Sequence, residues 1–134
     1  MTAIRLLFVC IENSNRSQMA EAFARIHART LGLEVEAHSA GSRPSGVVNP
    51  KAIAAMAELG YDLATHRSKP LSELESLDFD VVVTMGCGDA CPWVKARRRI
   101  DWQIPDPKQL APADFAKVRD LVGAKVRALL EESR

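Results

Sequence analysis

The sequence of 134 residues has few cysteines, little net charge and no long apolar run, and each shortage excludes a class of protein. Three cysteines, an odd number, do not form the disulfide framework of a small secreted domain, so we expect free or transiently paired thiols and a cytoplasmic protein. A formal net charge of +1 gives no global field that would attract nucleic acid or a membrane. No stretch is long enough to span a bilayer. We therefore expect one domain over residues 1–134, acting as a monomer without nucleic acid or membrane partners.

Apolar periodicity predicts strands that alternate with helices along the chain. Short apolar or β-branched runs predict four strands, at 4–9, 34–38, 79–84 and 99–104. Apolar residues at helical spacing predict helices from 17 to 32, from 50 to 60, over 71–77 and from 112 onward. The first run carries Arg5 and leads into a polar loop, which favours a strand over a signal peptide. This alternation predicts a parallel α/β sheet with helices on both faces, in which ligands bind at the carboxyl ends of the strands.

The segment between the first strand and the first helix, residues 10–17, has the composition of an oxyanion site, and we call it the anion loop. It combines a thiol, a tight polar turn, a guanidinium and a helix start, all of which favour a bound tetrahedral anion and a thiolate. A buried structural cysteine beside a capped helix is the alternative. We predict that Cys10 is a nucleophile and that substrate is bound by Ile11, Glu12, Asn13, Ser14, Asn15, Arg16 and Ser17.

A second pair of thiols, Cys87 and Cys91, follows the predicted strand 79–84 and so lies at the same edge of the sheet as Cys10. Three roles are open: thiols that react with Cys10, two buried apolar side chains, or ligands of zinc. Neighbouring glycines and a proline indicate a polar loop and argue against burial. The three histidines are scattered, with poor spacing for zinc, so we predict no metal and expect them at the surface or the edge of the core.

These motifs resemble the low-molecular-weight protein tyrosine phosphatase superfamily and, within it, the arsenate reductase branch. The resemblance covers nearly the whole chain. Its motifs are the anion loop continued to Glu21, the run Ser39–Gly41, the thiol-bearing loop at 84–92, and Asp101-Trp102 followed by Asp106-Pro107. The resemblance implies a single low-molecular-weight phosphatase-like domain with a four-stranded sheet in the order 2-1-3-4.

The resemblance also implies a reaction at Cys10. Cys10 would attack phosphorus or arsenic, Arg16 and the loop N–H groups would bind the equatorial oxygens, and Asp106 would protonate the leaving oxygen. Hydrolysis of the adduct would make the protein a phosphatase of phosphate monoesters. Attack on the adduct by Cys87 or Cys91 would instead release arsenite and leave a disulfide. Thioredoxin, or a small thiol with a glutaredoxin-like protein, would supply the electrons, with no tightly bound cofactor.

The chain departs from the family pattern at several positions. Asn15 replaces a frequent cysteine, and the spacing of Cys87 and Cys91 is shorter than in members with an internal thiol relay. Two alternatives follow: either Cys87 or Cys91 resolves alone, or a small external thiol with a glutaredoxin-like partner replaces the relay. Lys69 lies where some relatives have an aspartate near a cation, and its ammonium would replace that cation. Lys108 stands where the phosphatases usually have a tyrosine that holds an aryl substrate. We predict an arsenate reductase with weak phosphatase activity; a phosphatase and a non-catalytic oxyanion-binding module are the alternatives.

Overall fold

The computed structural model describes residues 3–86 and 94–133. Within these ranges four strands form one sheet, in which every neighbouring pair is parallel and the order is 2-1-3-4. The strands are β1 (Ile4–Cys10), β2 (Val35–Gly41), β3 (Phe79–Thr84) and β4 (Ala96–Asp101). The helices are α1 (Arg16–Leu31), α2 (Pro50–Ala57) and α3 (Pro112–Glu132), with short 3₁₀ helices at Leu63–Thr65 and Leu71–Leu74. The predicted fold class and strand order are confirmed.

The two central strands, β1 and β3, are buried on both faces, which explains their nearly continuous apolar sequence. Side chains alternate along β1, so Leu6 and Phe8 face one core and Leu7 and Val9 face the other. The larger core lies between the sheet and the three α-helices, and the smaller one is covered by the 3₁₀ helix Leu71–Leu74. Both central strands end at the same edge, and this places the anion loop beside the end of β3.

Several element boundaries differ from those predicted; β2, for example, continues to Gly41 rather than ending at residue 38. β4 spans Ala96–Asp101 rather than 99–104, because its register against β3 pairs Ala96 with Phe79, and its edge position leaves basic side chains exposed to solvent. α2 ends at Ala57 rather than at residue 60. Only Leu71–Leu74 of the predicted helix 71–77 is helical, as a 3₁₀ turn. In the described ranges, no helix is both long and apolar enough to cross a bilayer.

Candidate active site

The anion loop encloses a small pocket at the carboxyl edge of the sheet. Cys10 is the last residue of β1 and is only 3% exposed, and Arg16, 7% exposed, is the first residue of α1. The loop backbone therefore turns between a strand end and a helix N-terminus, an arrangement that favours bound anions. The pocket has a volume of about 110 Å³ and is lined by Cys10, Ile11, Glu12, Ser14, Asn15, Arg16, Asp106 and Lys108.

Two further residues of the anion loop lie behind the pocket and contact Cys10 in series. The Ser17 hydroxyl oxygen is 2.9 Å from Cys10 Sγ. The side-chain amide of Asn13 donates to that same hydroxyl oxygen over 2.8 Å. Because Ser17 accepts this hydrogen, its own proton is available to Cys10 Sγ, and a thiolate is the form of Cys10 that accepts it best. Asn13 and Ser17 are completely buried, so they hold the Cys10 sulfur in position from behind.

Asn13 holds the curvature of the anion loop. It has a φ of 53°, and among the described residues it alone combines a positive φ with a side chain. Asparagine tolerates this left-handed conformation because its short amide bonds locally. Its Oδ1 atom accepts hydrogen bonds from the Lys69 backbone N–H (3.0 Å) and from Gln18 Nε2 (2.9 Å). The loop is thereby fastened to both α1 and the segment that precedes Leu71–Leu74.

A chain of buried and half-buried polar side chains continues beneath the loop from Gln18. Gln18 Oε1 lies 3.0 Å from His66 Nδ1, and His66 Nε2 lies 2.6 Å from the Tyr61 hydroxyl. The carbonyl oxygen of Gln18 requires a donor, so the hydrogen of neutral His66 is on Nδ1 and Nε2 accepts from Tyr61. Burial lowers the pKa of His66, which favours this neutral form. Sequence analysis did not place His66 at the site, because 48 residues separate it from Gln18.

Arg16 is held in place by the loops that follow β3 and β4. Its Nη1 atom donates to the carbonyl oxygen of Ile104 over 3.0 Å. Gly86, with a φ of +81°, packs so closely on the guanidinium that a Cβ at this position would overlap Nη1. Arg16 Nη2 lies 3.9 Å from Asp106 Oδ2, and the Asp106 side chain is 54% exposed. A buried cation and a half-exposed carboxyl therefore face each other across the pocket.

Lys69 lies near the carboxylate of Glu21. Its Nζ atom is 3.9 Å from Glu21 Oε1, which also accepts a 2.7 Å hydrogen bond from Ser39 Oγ. Burial lowers the pKa of Lys69, and the Glu21 carboxylate opposes this shift. No group of three or more possible metal-ligating side chains occurs within residues 3–86 and 94–133. The absence of a bound metal stays a prediction.

The predicted redox residues Cys87 and Cys91 lie outside the described residues. Thr84, at the end of β3, pairs with Val9 of β1, and the Met85 backbone N–H donates to the carbonyl oxygen of Val9 over 2.8 Å. Val9, which precedes Cys10 in β1, therefore contacts Thr84 and Met85, the residues that lead toward the segment of Cys87 and Cys91.

Comparison with known proteins agrees with this geometry. The model of the family "Low molecular weight phosphotyrosine protein phosphatase" matches residues 5–134. The chain is 39% identical over 129 residues to a protein named glutaredoxin arsenate reductase from Synechocystis sp., a match that covers 94% of this chain and 95% of the relative. It is 38% identical over 126 residues to arsenate reductase 2 of Staphylococcus saprophyticus, covering 91% and 92%.

Solved structures show the same relationship. An arsenate reductase in its phosphate-binding state superposes with a TM-score of 0.85 at 36% identity, covering 96% of this chain and 98% of that one. A low molecular weight protein tyrosine phosphatase from T. tengcongensis superposes with a TM-score of 0.84 at 25% identity, covering 97% and 99%. The chain therefore belongs to the low molecular weight phosphotyrosine protein phosphatase family, and within that family it is related to the arsenate reductases.

Proposed function

We propose that this protein reduces arsenate to arsenite, with Cys10 as the nucleophile. One observation carries the proposal: a buried thiol within 2.9 Å of Ser17 Oγ forms the floor of a pocket of about 110 Å³, with Arg16 and Asp106 in its walls. Such a pocket suits a small tetrahedral oxyanion. The relatives named arsenate reductase, which match over nine-tenths of both chains, support arsenate as the substrate.

The first step is substitution at arsenic. The Cys10 thiolate attacks arsenic from the floor of the pocket, an As–S bond forms, and one arsenate oxygen leaves on the opposite side. Asp106 donates the proton with which this oxygen leaves as water. The loop N–H groups and Arg16 bind the remaining oxygens, where negative charge is spread. Ser17 and Asn13 do not touch arsenate in this mechanism; they orient the Cys10 sulfur.

The second step transfers two electrons to arsenic. A second thiolate attacks Cys10 Sγ, an S–S bond forms, and the As–S bond breaks with its electron pair moving onto arsenic. Arsenic is reduced from the +5 to the +3 state and leaves as arsenite, while two thiols are oxidised to one disulfide. Cys87 and Cys91 are the candidates within the chain for the second thiol. An external small thiol is the other source.

An external reductant must then reopen the disulfide. Thioredoxin, or a small thiol with a glutaredoxin-like protein, has the required dithiol chemistry, and the name of the Synechocystis relative supports a glutaredoxin. The need for a reducing environment supports a cytoplasmic location. The two cores share one sheet, which supports a single domain over residues 1–134.

Hydrolysis of phosphate monoesters is the second candidate function. The description of the matched family supports it, as does Asp106, whose carboxyl lies 3.9 Å from Arg16 where it can protonate an ester oxygen. In that reaction water, rather than a thiol, would cleave the Cys10 adduct. Only the reductase requires a second thiol.

The test is arsenite release from arsenate by the purified protein, coupled in turn to thioredoxin with its reductase and to glutathione with glutaredoxin. We expect turnover with at least one system and none in Cys10→Ser. A variant with both Cys87→Ser and Cys91→Ser separates internal from external resolution: loss of turnover assigns the second thiol to the chain. Hydrolysis of an aryl phosphate without arsenite release under any thiol system would overturn the reductase in favour of the phosphatase.

A further inference from the structure

Glu12 places a carboxylate in a loop whose other features attract anions. It lines the pocket together with Cys10 and Arg16, and its side chain is 33% exposed, whereas the residues Cys10 and Arg16 are almost fully buried. A negative charge in this position repels an incoming oxyanion, and the repulsion weakens only if a cation offsets it. Glu12 therefore lies at the outer part of the pocket. Its negative charge must be offset by a nearby cation if an oxyanion is to enter.

Lys108 is that partner, and it reaches Glu12 from the opposite wall of the pocket. Its Nζ atom lies 2.9 Å from Glu12 Oε1 and 3.2 Å from Oε2, so both carboxylate oxygens are engaged. The hydrogen bond to Glu12 raises the pKa of Lys108, so the ammonium stays charged. Both side chains are partly exposed, and the ion pair joins the two walls above the buried floor. We call this pair the Glu12–Lys108 bridge.

The Glu12–Lys108 bridge is coupled to the proposed general acid. The Lys108 backbone N–H donates to Asp106 Oδ1 over 3.0 Å. Lys51, on α2, donates from its ammonium to the carbonyl oxygens of Lys108 (3.2 Å) and Leu110 (3.3 Å). The Asp106 segment is thus fastened on one side to the anion loop and on the other to α2. The position of the bridge relative to Asp106 is defined by these contacts.

The geometry of in-line attack determines which part of a substrate lies near the Glu12–Lys108 bridge. When Cys10 attacks in line from the floor, the leaving group lies opposite Sγ, toward Asp106 and the exterior. The leaving oxygen of arsenate carries only hydrogen and ends within the pocket. The leaving oxygen of an ester carries an organic group, which must continue past Asp106 to the outer part of the pocket, where Glu12 and Lys108 are joined.

We infer that the Glu12–Lys108 bridge determines specificity, by admitting a free inorganic oxyanion and opposing an ester whose organic group has to pass between the two side chains. The inference rests on the proposed function and deepens it, since it explains how a phosphatase-like pocket prefers arsenate to a phosphate ester. To bind an ester the protein must first break the ion pair, whereas arsenate binds with the pair intact. A purely structural bridge would stabilise the Asp106 segment without discriminating between ligands.

The experiment compares two non-reacting probes, inorganic phosphate and phenylphosphonate, which carry similar charge but differ in the organic group. Each probe protects Cys10 from iodoacetamide, and the protection constant is read from the Cys10 peptide by mass spectrometry. The variants are Glu12→Ala, Lys108→Ala and the double reversal of Glu12→Lys with Lys108→Glu. Arg98→Ala is the matched control, because it removes an ion pair of similar exposure, 2.8 Å from Glu132 and away from the pocket.

The ratio of the two protection constants is the decisive quantity, because a general change in charge affects both probes alike and cancels. We expect each single variant to shift the ratio toward phenylphosphonate by about three- to fivefold, the change that corresponds to the energy of one exposed ion pair. The double reversal should return the ratio toward that of the original protein, and Arg98→Ala should not change it. An unchanged ratio in both single variants, with a lower melting temperature, would overturn the inference and make the bridge structural.

This outcome is separable from failure of the proposed function. The protection constants do not depend on arsenite release. A shifted ratio in a protein that never releases arsenite would leave the bridge as a specificity element and overturn the reductase. Arsenite release with an unshifted ratio would do the reverse.

Discussion

Replacing Asn13 by alanine tests whether the anion loop depends on one buried amide. The Asn13 side chain is fully buried and makes three hydrogen bonds: to Ser17 Oγ, from Gln18 Nε2 and from the Lys69 backbone N–H. Alanine removes all three and leaves a Cβ residue with a φ of 53° without the local bonding that made it tolerable. We expect a large loss of stability together with a less reactive Cys10.

The magnitude follows from the partners that remain. Gln18 Nε2 keeps two acceptors, the backbone carbonyl oxygens of Asn13 and Arg67. Losing its hydrogen bond to Asn13 Oδ1 therefore costs little stability. The Lys69 N–H is part-buried and loses the acceptor on Asn13, at a cost of about 1–2 kcal/mol. The left-handed backbone conformation costs an alanine a further 1–2 kcal/mol, roughly. The expected decrease in the free energy of unfolding is therefore roughly 2–4 kcal/mol, a large part of the stability of an ordinary domain.

A second variant, Asn13→Asp, separates the loss of stability from the effect on Cys10. Aspartate keeps both acceptor bonds and tolerates the left-handed conformation, but it replaces the donor to Ser17 with an oxygen. Ser17 then donates to that carboxylate rather than to Cys10 Sγ. Losing a hydrogen bond to a charged sulfur is worth about 1.5 kcal/mol, or about tenfold in the rate of alkylation by iodoacetamide.

Urea unfolding and the alkylation rate of Cys10 are the two assays. We expect Asn13→Ala to lose stability and Asn13→Asp to keep most of it while Cys10 reacts more slowly. The reasoning is refuted if the free energy of unfolding of Asn13→Ala lies within about 1 kcal/mol of that of the original protein, since the unpaired Lys69 N–H alone should cost that much. It is equally refuted if Asn13→Asp alkylates at the original rate.

Three further predictions concern residues around the site and the core. Gly86→Ala should keep the fold but lower kcat/KM for arsenate about tenfold or more, because a Cβ at φ +81° displaces Arg16; an unchanged kcat/KM would contradict this. Burial lowers the pKa of His66 below 6.5, so the folded state binds its proton less readily than the unfolded chain, and stability falls as pH drops below that value; the urea midpoint of His66→Gln should vary less with pH. Gly123→Ala should lower the free energy of unfolding in urea by about 1–3 kcal/mol, because its Cβ would lie 2.8 Å from the Phe23 ring. Equal urea midpoints would show that α1 and α3 move apart at no cost.

Patterns within short windows of sequence predicted much of this protein. The apolar runs of β1 and β3 and the helical spacing after Arg16 fixed the order of the elements, and parallel α/β geometry then placed Cys10 at the ligand-binding edge. These inferences succeeded because they depend on residues that are neighbours in the chain. The strand order came from the resemblance, and the boundaries of β4 were wrong because pairing with β3, not local propensity, sets them.

Contacts between distant residues were decided by the tertiary structure. Glu12 and Lys108 are 96 residues apart, and nothing in either local sequence indicates that their side chains meet. His66 gave no local signal of its place beneath the loop, and the closeness of Gly86 to the guanidinium depends on how the end of β3 packs against α1. The sequence by itself determined which residues form the anion loop, because the loop is one continuous segment between β1 and α1. Only the folded chain decided how those groups are oriented and what surrounds them, because orientation depends on packing between segments that the sequence separates.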